Sequence, residues 1–177
     1  MTEQMMALLS NYVALVEKVD AHVARLQNVY SGEIVCKKGC DDCCRHLALF
    51  PVEAVRLAVS FAELNTDQQQ QVIQRIETLP DACPLLVDRG CVLYKARPLI
   101  CRTHGFPITM EKQGRLAIDF CPKNFKQTRT FDHTELLCLE QLNQTLFAVN
   151  QHFLTAIETD TPLPERIRVC DALFMLE

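Results

Sequence analysis

Apolar residues return at helical spacing from about Glu3 to Tyr30, through Met5, Met6, Leu8, Leu9, Tyr12, Val13, Val16, Val19, Val23, Leu26 and Val29, which predicts one long amphipathic helix. A denser apolar run starts at Pro51, a residue suited to a first helical turn, and carries Val52, Val55, Leu57, Ala58, Val59 and Phe61 to about Leu64. Thr66 is the expected cap of a third helix ending near Pro80. Further on the period shortens. The segments Phe106 to Met110 and Leu116 to Phe120 flank the turn Glu111-Lys112-Gln113-Gly114-Arg115 and predict a hairpin. Asp132 is placed to cap a long helix bearing Leu136, Leu139, Leu142, Leu146, Val149, Phe153 and Ile157, and Pro164 to open a last one. The pattern predicts a mainly α (α+β) fold: a helical frame around a cysteine-rich, metal-binding loop region with one small β-hairpin.

A chain of 177 residues is long enough for an apolar core of its own, and one domain over residues 1–177 is expected. With 18 basic and 22 acidic residues the formal charge is −4, which gives no general attraction to nucleic acid or to an anionic membrane. Charged residues interrupt every candidate for the roughly 18 unbroken apolar residues of a membrane span. The start Met-Thr-Glu-Gln-Met-Met lacks a basic region, and Ser10, Asn11, Glu17 and Lys18 interrupt the apolar stretch behind it, so it does not read as a signal peptide. A cytoplasmic protein is expected, with no nucleic-acid or membrane partner.

That expectation changes the meaning of the ten cysteines. In a reducing compartment a disulfide framework is disfavoured, and thiolates that bind metal explain the count better. Four of them fall in nine residues, Cys36-Lys-Lys-Gly-Cys40-Asp-Asp-Cys43-Cys44. Such spacing lets one turn direct several sulfurs to one point, and Lys37, Lys38 and Arg45 are expected to lower the thiol pKa values. A second group, Cys83, Cys91 and Cys101, is too widely spaced for a single knuckle, so each is expected to project from a separate loop, and Cys121 follows the hairpin. The predicted metal ligands are therefore Cys36, Cys40, Cys43, Cys44, Cys83, Cys91, Cys101 and Cys121. Cys138 and Cys170 are expected as small core residues inside helices. Arg97 and Arg102 are candidates to offset thiolate charge, and His104 is a weaker candidate ligand. Tyr94 reads as a packing residue.

The pieces C-K-K-G-C-D-D-C-C, C-P-L-L and G-C-V-L-Y-K-A-R-P-L-I-C-R-T-H-G-F, in this order over about Cys36 to Phe106, resemble the C-x-x-C-x-x-C-C group of cysteine-cluster proteins. The resemblance implies a domain that chelates zinc or iron, and a similar signature occurs in flagellin lysine methylases. It names no reaction and no catalytic residue.

Zinc and iron–sulfur clusters both accept four thiolates, and charge does not separate them. Segments 36–46 (three basic, two acidic) and 83–102 (four basic, one acidic) neutralise either one comparably. Eight sulfurs exceed the needs of one mononuclear metal; two sites, a polynuclear site or a four-iron cluster with spare thiols all remain open. The partner expected is a metal ion, in a structural, electron-transferring or metal-handling centre. One alternative is an iron–sulfur-dependent enzyme, an oxidoreductase or a protein-lysine methylase-like protein. Cys36, Cys40 and Cys43 carry the C-x-x-x-C-x-x-C spacing of radical S-adenosylmethionine enzymes. Asp42 stands where an aromatic is usual there, and the helical pattern lacks repeated strand–helix units. The other alternative is a zinc-stabilised protein-interaction module.

Overall fold

The computed structural model describes residues 2–36, 39–128, 130–159 and 161–176. The N-terminal pattern forms two helices, α1 (Thr2–Leu8) and α2 (Ser10–Val29), rather than one. The break is slight. Leu9 keeps helical angles, its N–H donates to the Met5 carbonyl at 3.1 Å, and its own carbonyl accepts from Val13 at 2.9 Å. A short strand β1 (Ala48–Leu49) leads into α3 (Pro51–Ala62), with Pro51 in the first turn, and then comes α4 (Thr66–Thr78). The cap of α4 is Asn65, not Thr66: the Asn65 side chain accepts from the Gln68 N–H, and Thr66 is already helical.

Ten of the twelve residues of α3 are buried, so it is apolar nearly all round and sits inside the molecule. One core, with Leu9, Tyr12, Val52, Val55, Val59 and Phe153, packs on one side of it. A second, with Leu49, Leu57, Phe61, Val72, Leu85 and Leu93, packs on the other. Each fully buried Val or Leu of this kind contributes roughly 1.5–3 kcal/mol. The polar groups in this interior are matched. Asn150 accepts from the orphan N–H of Val52 at the start of α3 at 3.1 Å, and Glu53 accepts from the Leu99 N–H at 3.0 Å.

The middle of the chain holds β2 (Leu86–Val87) and β3 (Gly90–Cys91), a 3-10 turn (Tyr94–Ala96) and α5 (Leu99–Thr103). Beyond them come β4 (Ile108–Lys112), β5 (Arg115–Asp119), β6 (Leu137–Cys138), α6 (Leu139–Ala156), β7 (Ile167–Arg168) and α7 (Val169–Ala172). Among the described residues there are two hairpins rather than one. The expected one, β4–β5, pairs Ile108 with Asp119 through Lys112 with Arg115 and turns at Gln113-Gly114, both at positive φ. The other, β2–β3, turns at Asp88-Arg89, also both at positive φ. A two-residue turn with both central residues at positive φ suits Asn-Gly far better than Asp-Arg, so the local signal is only the following Gly90, whose place before Cys91 favours a tight loop.

Strand pairing also moves two predicted helix starts. Asp132 caps only the 3-10 turn His133–Glu135, through a capping box, because Leu137 and Cys138 then pair in parallel with β4 before α6 begins at Leu139. The last helix starts at Val169 rather than Pro164, because Ile167 and Arg168 first pair with β1. Cys138 is consequently exposed at the cap of α6, not a core residue, and Cys170 is half-buried. Cys170 borders a hollow of about 300 Å³ with His46, Arg168 and Asp171. Among the described residues no helix is long and apolar enough to cross a membrane.

Candidate metal centre

The fold places several of the predicted thiols near one another in an outer and an inner group that adjoin at Cys43 and Cys44. In the outer group, Asn124 is the organiser. Its side chain is almost wholly buried; Nδ2 donates to the Gly105 carbonyl at 2.8 Å and to Cys36 Sγ at 3.3 Å, while Oδ1 accepts from the Val35 N–H at 3.0 Å. The Asn124 N–H closes a turn onto the Cys121 carbonyl at 2.9 Å. Cys36 and Cys121 are thereby drawn to the same spot. Gly105 makes room for it, since φ is +93° and a Cβ would stand 3.2 Å from Cys36 Sγ and 3.4 Å from Cys121 Cβ. Charge on Cys40 and Cys121 acts on Cys36, while on Cys43 the adjoining Cys44 acts first among the thiols, ahead of Cys36 and Cys40. An ion pair between Asp42 and Lys123, itself beside Cys40 and Cys121, ties the two turns together.

The inner set forms around the β2–β3 hairpin. An antiparallel bridge of Arg45 with Ala82 carries Cys44 alongside Cys83, and Cys91 pairs with Leu86 across the hairpin. The Leu86 N–H donates to the Cys83 carbonyl at 3.2 Å, and the amides of Leu85 and Leu86 near the Cys83 thiol and of Leu93 near the Cys91 thiol work against the rise that burial imposes on both. Amides so placed favour a thiolate. Cys101 reaches the same place from α5, where Cys83, Cys91 and Cys44 act on it. Glu53 and Arg102 fix that helix. Arg102, predicted to offset thiolate charge, is instead buried among Asp20 and the carbonyls of Arg97 and Lys95. Arg97 does reach the thiols: its charge acts on Cys36, Cys44, Cys91 and Cys101, members of both sets. It is held by the carbonyls of Tyr94 and Cys101 and stacks on the Tyr94 ring, so the exposed Tyr94 is a platform rather than core packing. His104 lies exposed at the end of α5.

Among the described residues the one basic side chain that pulls several thiols down, Arg97, is outweighed by burial. Burial, the largest influence, raises Cys36, Cys44 and Cys83, and pushes Cys43 and Cys91 up to about 11 and Cys101 up to about 12. For Cys43 and Cys44 the neighbouring Cys44 and Cys83 act in the same direction. Lys37 and Lys38 lie outside the described residues. Crowded neutral thiols of this kind gain most from a cation that takes up the negative charge of several sulfurs at once. The gathering stops short of a closed shell: among the described residues no three His, Cys, Asp or Glu side chains converge closely enough to hold a metal ion as placed. The chemistry of the donors fits a thiophilic metal nonetheless, with all-sulfur sets, backbone amides near Cys83 and Cys91, and a side-chain amide on Cys36.

The stretch 35–138, which contains all eight thiols, matches the model of the CxxCxxCC family, described as a proposed zinc- or iron-chelating domain. The match spans more than half of the 177 residues. The chain belongs to the CxxCxxCC family. No curated protein and no solved structure matches it significantly. This member departs from the spacing in the CxxCxxCC name at the first interval, where Lys37-Lys38-Gly39 supplies three residues instead of two, and Gly39 turns at φ +92°. Asn124 and Lys123 went unnoticed in the sequence, and Gly105 was read only as a glycine of the family pattern. The one available signal was the polar turn Cys121-Pro-Lys-Asn124 directly after the hairpin.

Proposed function

We propose that this chain is a metal-binding protein that holds zinc or an iron–sulfur cluster through eight cysteine thiolates, in two sets that adjoin at Cys43 and Cys44. The outer set is Cys36, Cys40, Cys43 and Cys121; the inner set is Cys44, Cys83, Cys91 and Cys101. What supports this reading is the gathering of thiols from separated stretches of the chain: Cys36 and Cys121 both crowd Gly105, and the Arg45–Ala82 bridge carries Cys44 alongside Cys83, with Cys43 next to Cys44. Membership of a family of chelating domains supports it independently. Bound zinc would supply a redox-inert centre, and a cluster would supply one-electron transfer. Within the protein, Asn124 orients Cys36, the Leu85, Leu86 and Leu93 N–H groups stabilise charge on the inner sulfurs, and Arg97 offsets charge on both sets.

The pairing of Cys121 with Cys36 argues against a radical S-adenosylmethionine mechanism, which needs one cluster iron left without a thiolate. In this reading the chain is one domain and works in a reducing compartment such as the cytoplasm, where its thiols stay free. Elemental analysis and a visible spectrum of protein purified without oxygen test the proposal. The expected result is at least one equivalent of zinc or iron per chain, colourless for zinc and brown for a cluster. Protein that is folded, fully reduced and unable to take up either metal would overturn it.

A further inference from the structure

We propose that the chain associates with a second copy of itself through the open edge of β5, the two β5 strands pairing antiparallel about a two-fold axis at Ala117. Among the described residues the sheet has the order β5-β4-β6, which leaves β5 a neighbour on one side only. The backbone groups that face its open side can be read from β4. The Pro107 carbonyl accepts from the Leu137 N–H, and the Glu111 N–H donates to Glu140 Oε1 at 3.0 Å. Pro107 and Glu111 thus direct these groups away from β5, and Thr109, which lies between them at the same phase of the strand and pairs with Cys138 of β6, does the same. Opposite residues of an antiparallel pair exchange both hydrogen bonds or neither. Ile118 and Leu116, opposite Thr109 and Glu111, therefore take no backbone partner from β4 and turn their N–H and C=O groups outward.

This edge is undefended. Strand edges are usually blunted by a bulge, a proline, a lysine or a covering segment. The five residues of β5 run in continuous register with β4, none is proline or lysine, and Leu116 and Ile118 are exposed, Leu116 at 76%.

The strand's own sequence selects a second copy as its occupant. Arg115-Leu116-Ala117-Ile118-Asp119 carries opposite charges at its two ends and a branched apolar residue on each side of its centre. Laid antiparallel on itself about Ala117, it sets each Arg115 opposite the other copy's Asp119 and each Leu116 opposite the other copy's Ile118. The Leu116–Ile118 pairs are the ones whose backbone groups face outward, so each can exchange both of its hydrogen bonds across the axis. A copy laid parallel and in register would set Arg115 on Arg115 and Asp119 on Asp119. Asp119 is half-exposed beside Lys112 of its own chain, which leaves its carboxylate accessible to the incoming guanidinium. The contact is isologous and closes on itself, so it stops at two copies. Paired strands of this length cover less than the roughly 1,200 Å² of a stable interface, which makes the association reversible and dependent on concentration.

The test uses the full chain as purified, kept reduced so that no interchain disulfide contributes. Sedimentation across a concentration series gives the mass, and hydrogen exchange is followed at single amides over the same range. The mass should rise from that of one chain toward twice that value, and the Leu116 and Ile118 N–H groups should gain protection with it. The Ala117 N–H, already bonded to β4, should not change. Arg115→Asp should hold the chain as a monomer, because it sets like charges opposite each other, and adding Asp119→Arg to it should restore the dimer. Unchanged protection of α6 in both variants shows that they are folded. A chain that stays monomeric at every concentration would overturn the proposal. So would a dimer that Arg115→Asp leaves intact, or one in which Leu116 and Ile118 exchange as they do in the monomer.

Discussion

Cys91 and Cys36 are both thiols gathered with others, yet the fold treats them differently. Cys91 lies on a strand of a hairpin, has the Leu93 amide near its thiol, and packs against the second core. Cys36 is exposed on the loop after α2 and is held by one amide, that of Asn124. The hairpin beneath the inner set accepts two non-glycine residues at positive φ, Asp88 and Arg89. Arg89 is also the residue that reaches across to Gly39 and Asp41 in the outer loop. The β2–β3 hairpin thus braces the loop that carries Cys40. Ligand chemistry alone does not decide whether a thiolate centre is structural; the decisive factor is what else would have to come apart for the ion to leave.

The largest effect that would break or sharpen this contrast is expected from Cys91→Ser. Removing an inner ligand leaves an incomplete shell next to apolar core, and loss of a structural metal belongs to the small class of changes that cost about 4 kcal/mol or more. Denaturant unfolding of the reduced, metal-loaded protein should show that loss together with a loss of bound metal. A variant that sheds metal yet unfolds at the wild-type denaturant concentration would remove the distinction between the two thiols.

A smaller effect is expected from Asn124→Asp. The carboxylate still accepts from the Val35 N–H, but it cannot donate to Cys36 Sγ or to the Gly105 carbonyl, and it brings a negative charge to a site that already collects thiolates. Partners of metal ligands of this kind are worth about 10- to 100-fold in metal affinity. Competition with a chromophoric chelator should show zinc affinity weakened by that order, with a smaller loss of stability than in Cys91→Ser. A loss of stability as large as in Cys91→Ser would mean that Asn124 serves the fold as a whole.

How far the sequence announced all this differs between the same regions. The apolar periodicity of α2, the proline-led start of α3 and the Gln113-Gly114 hairpin were legible because each depends on local preference. The starts of α6 and α7 were not, since Leu137–Cys138 and Ile167–Arg168 are recruited as strands by partners far along the chain. The eight thiols drew attention through composition and spacing, but which of them lie beside one another could not be read from the sequence. Consecutive cysteines such as Cys43 and Cys44 look like one unit in a sequence and do lie side by side, but the Arg45–Ala82 bridge also brings Cys44 alongside Cys83. Arg97 and Arg102 looked equivalent too, and what separates them is burial beside Asp20.

The smallest effect is expected from Cys138→Ala, and its value lies in that. Cys138 is the last residue of the family match, which makes it a candidate ninth ligand on sequence grounds. The structure puts it on β6, paired with Thr109 of β4, exposed, and with its thiol 3.6 Å from Glu140 Oε2 rather than beside another cysteine. Surface substitutions of this kind usually change stability by no more than about 0.5 kcal/mol. The bound metal should survive Cys138→Ala with unchanged stoichiometry, read by elemental analysis. If metal is lost, the centre recruits a thiol from the three-stranded sheet, and the loops must then rearrange on loading far more than turns tied by Asn124 and Lys123 allow.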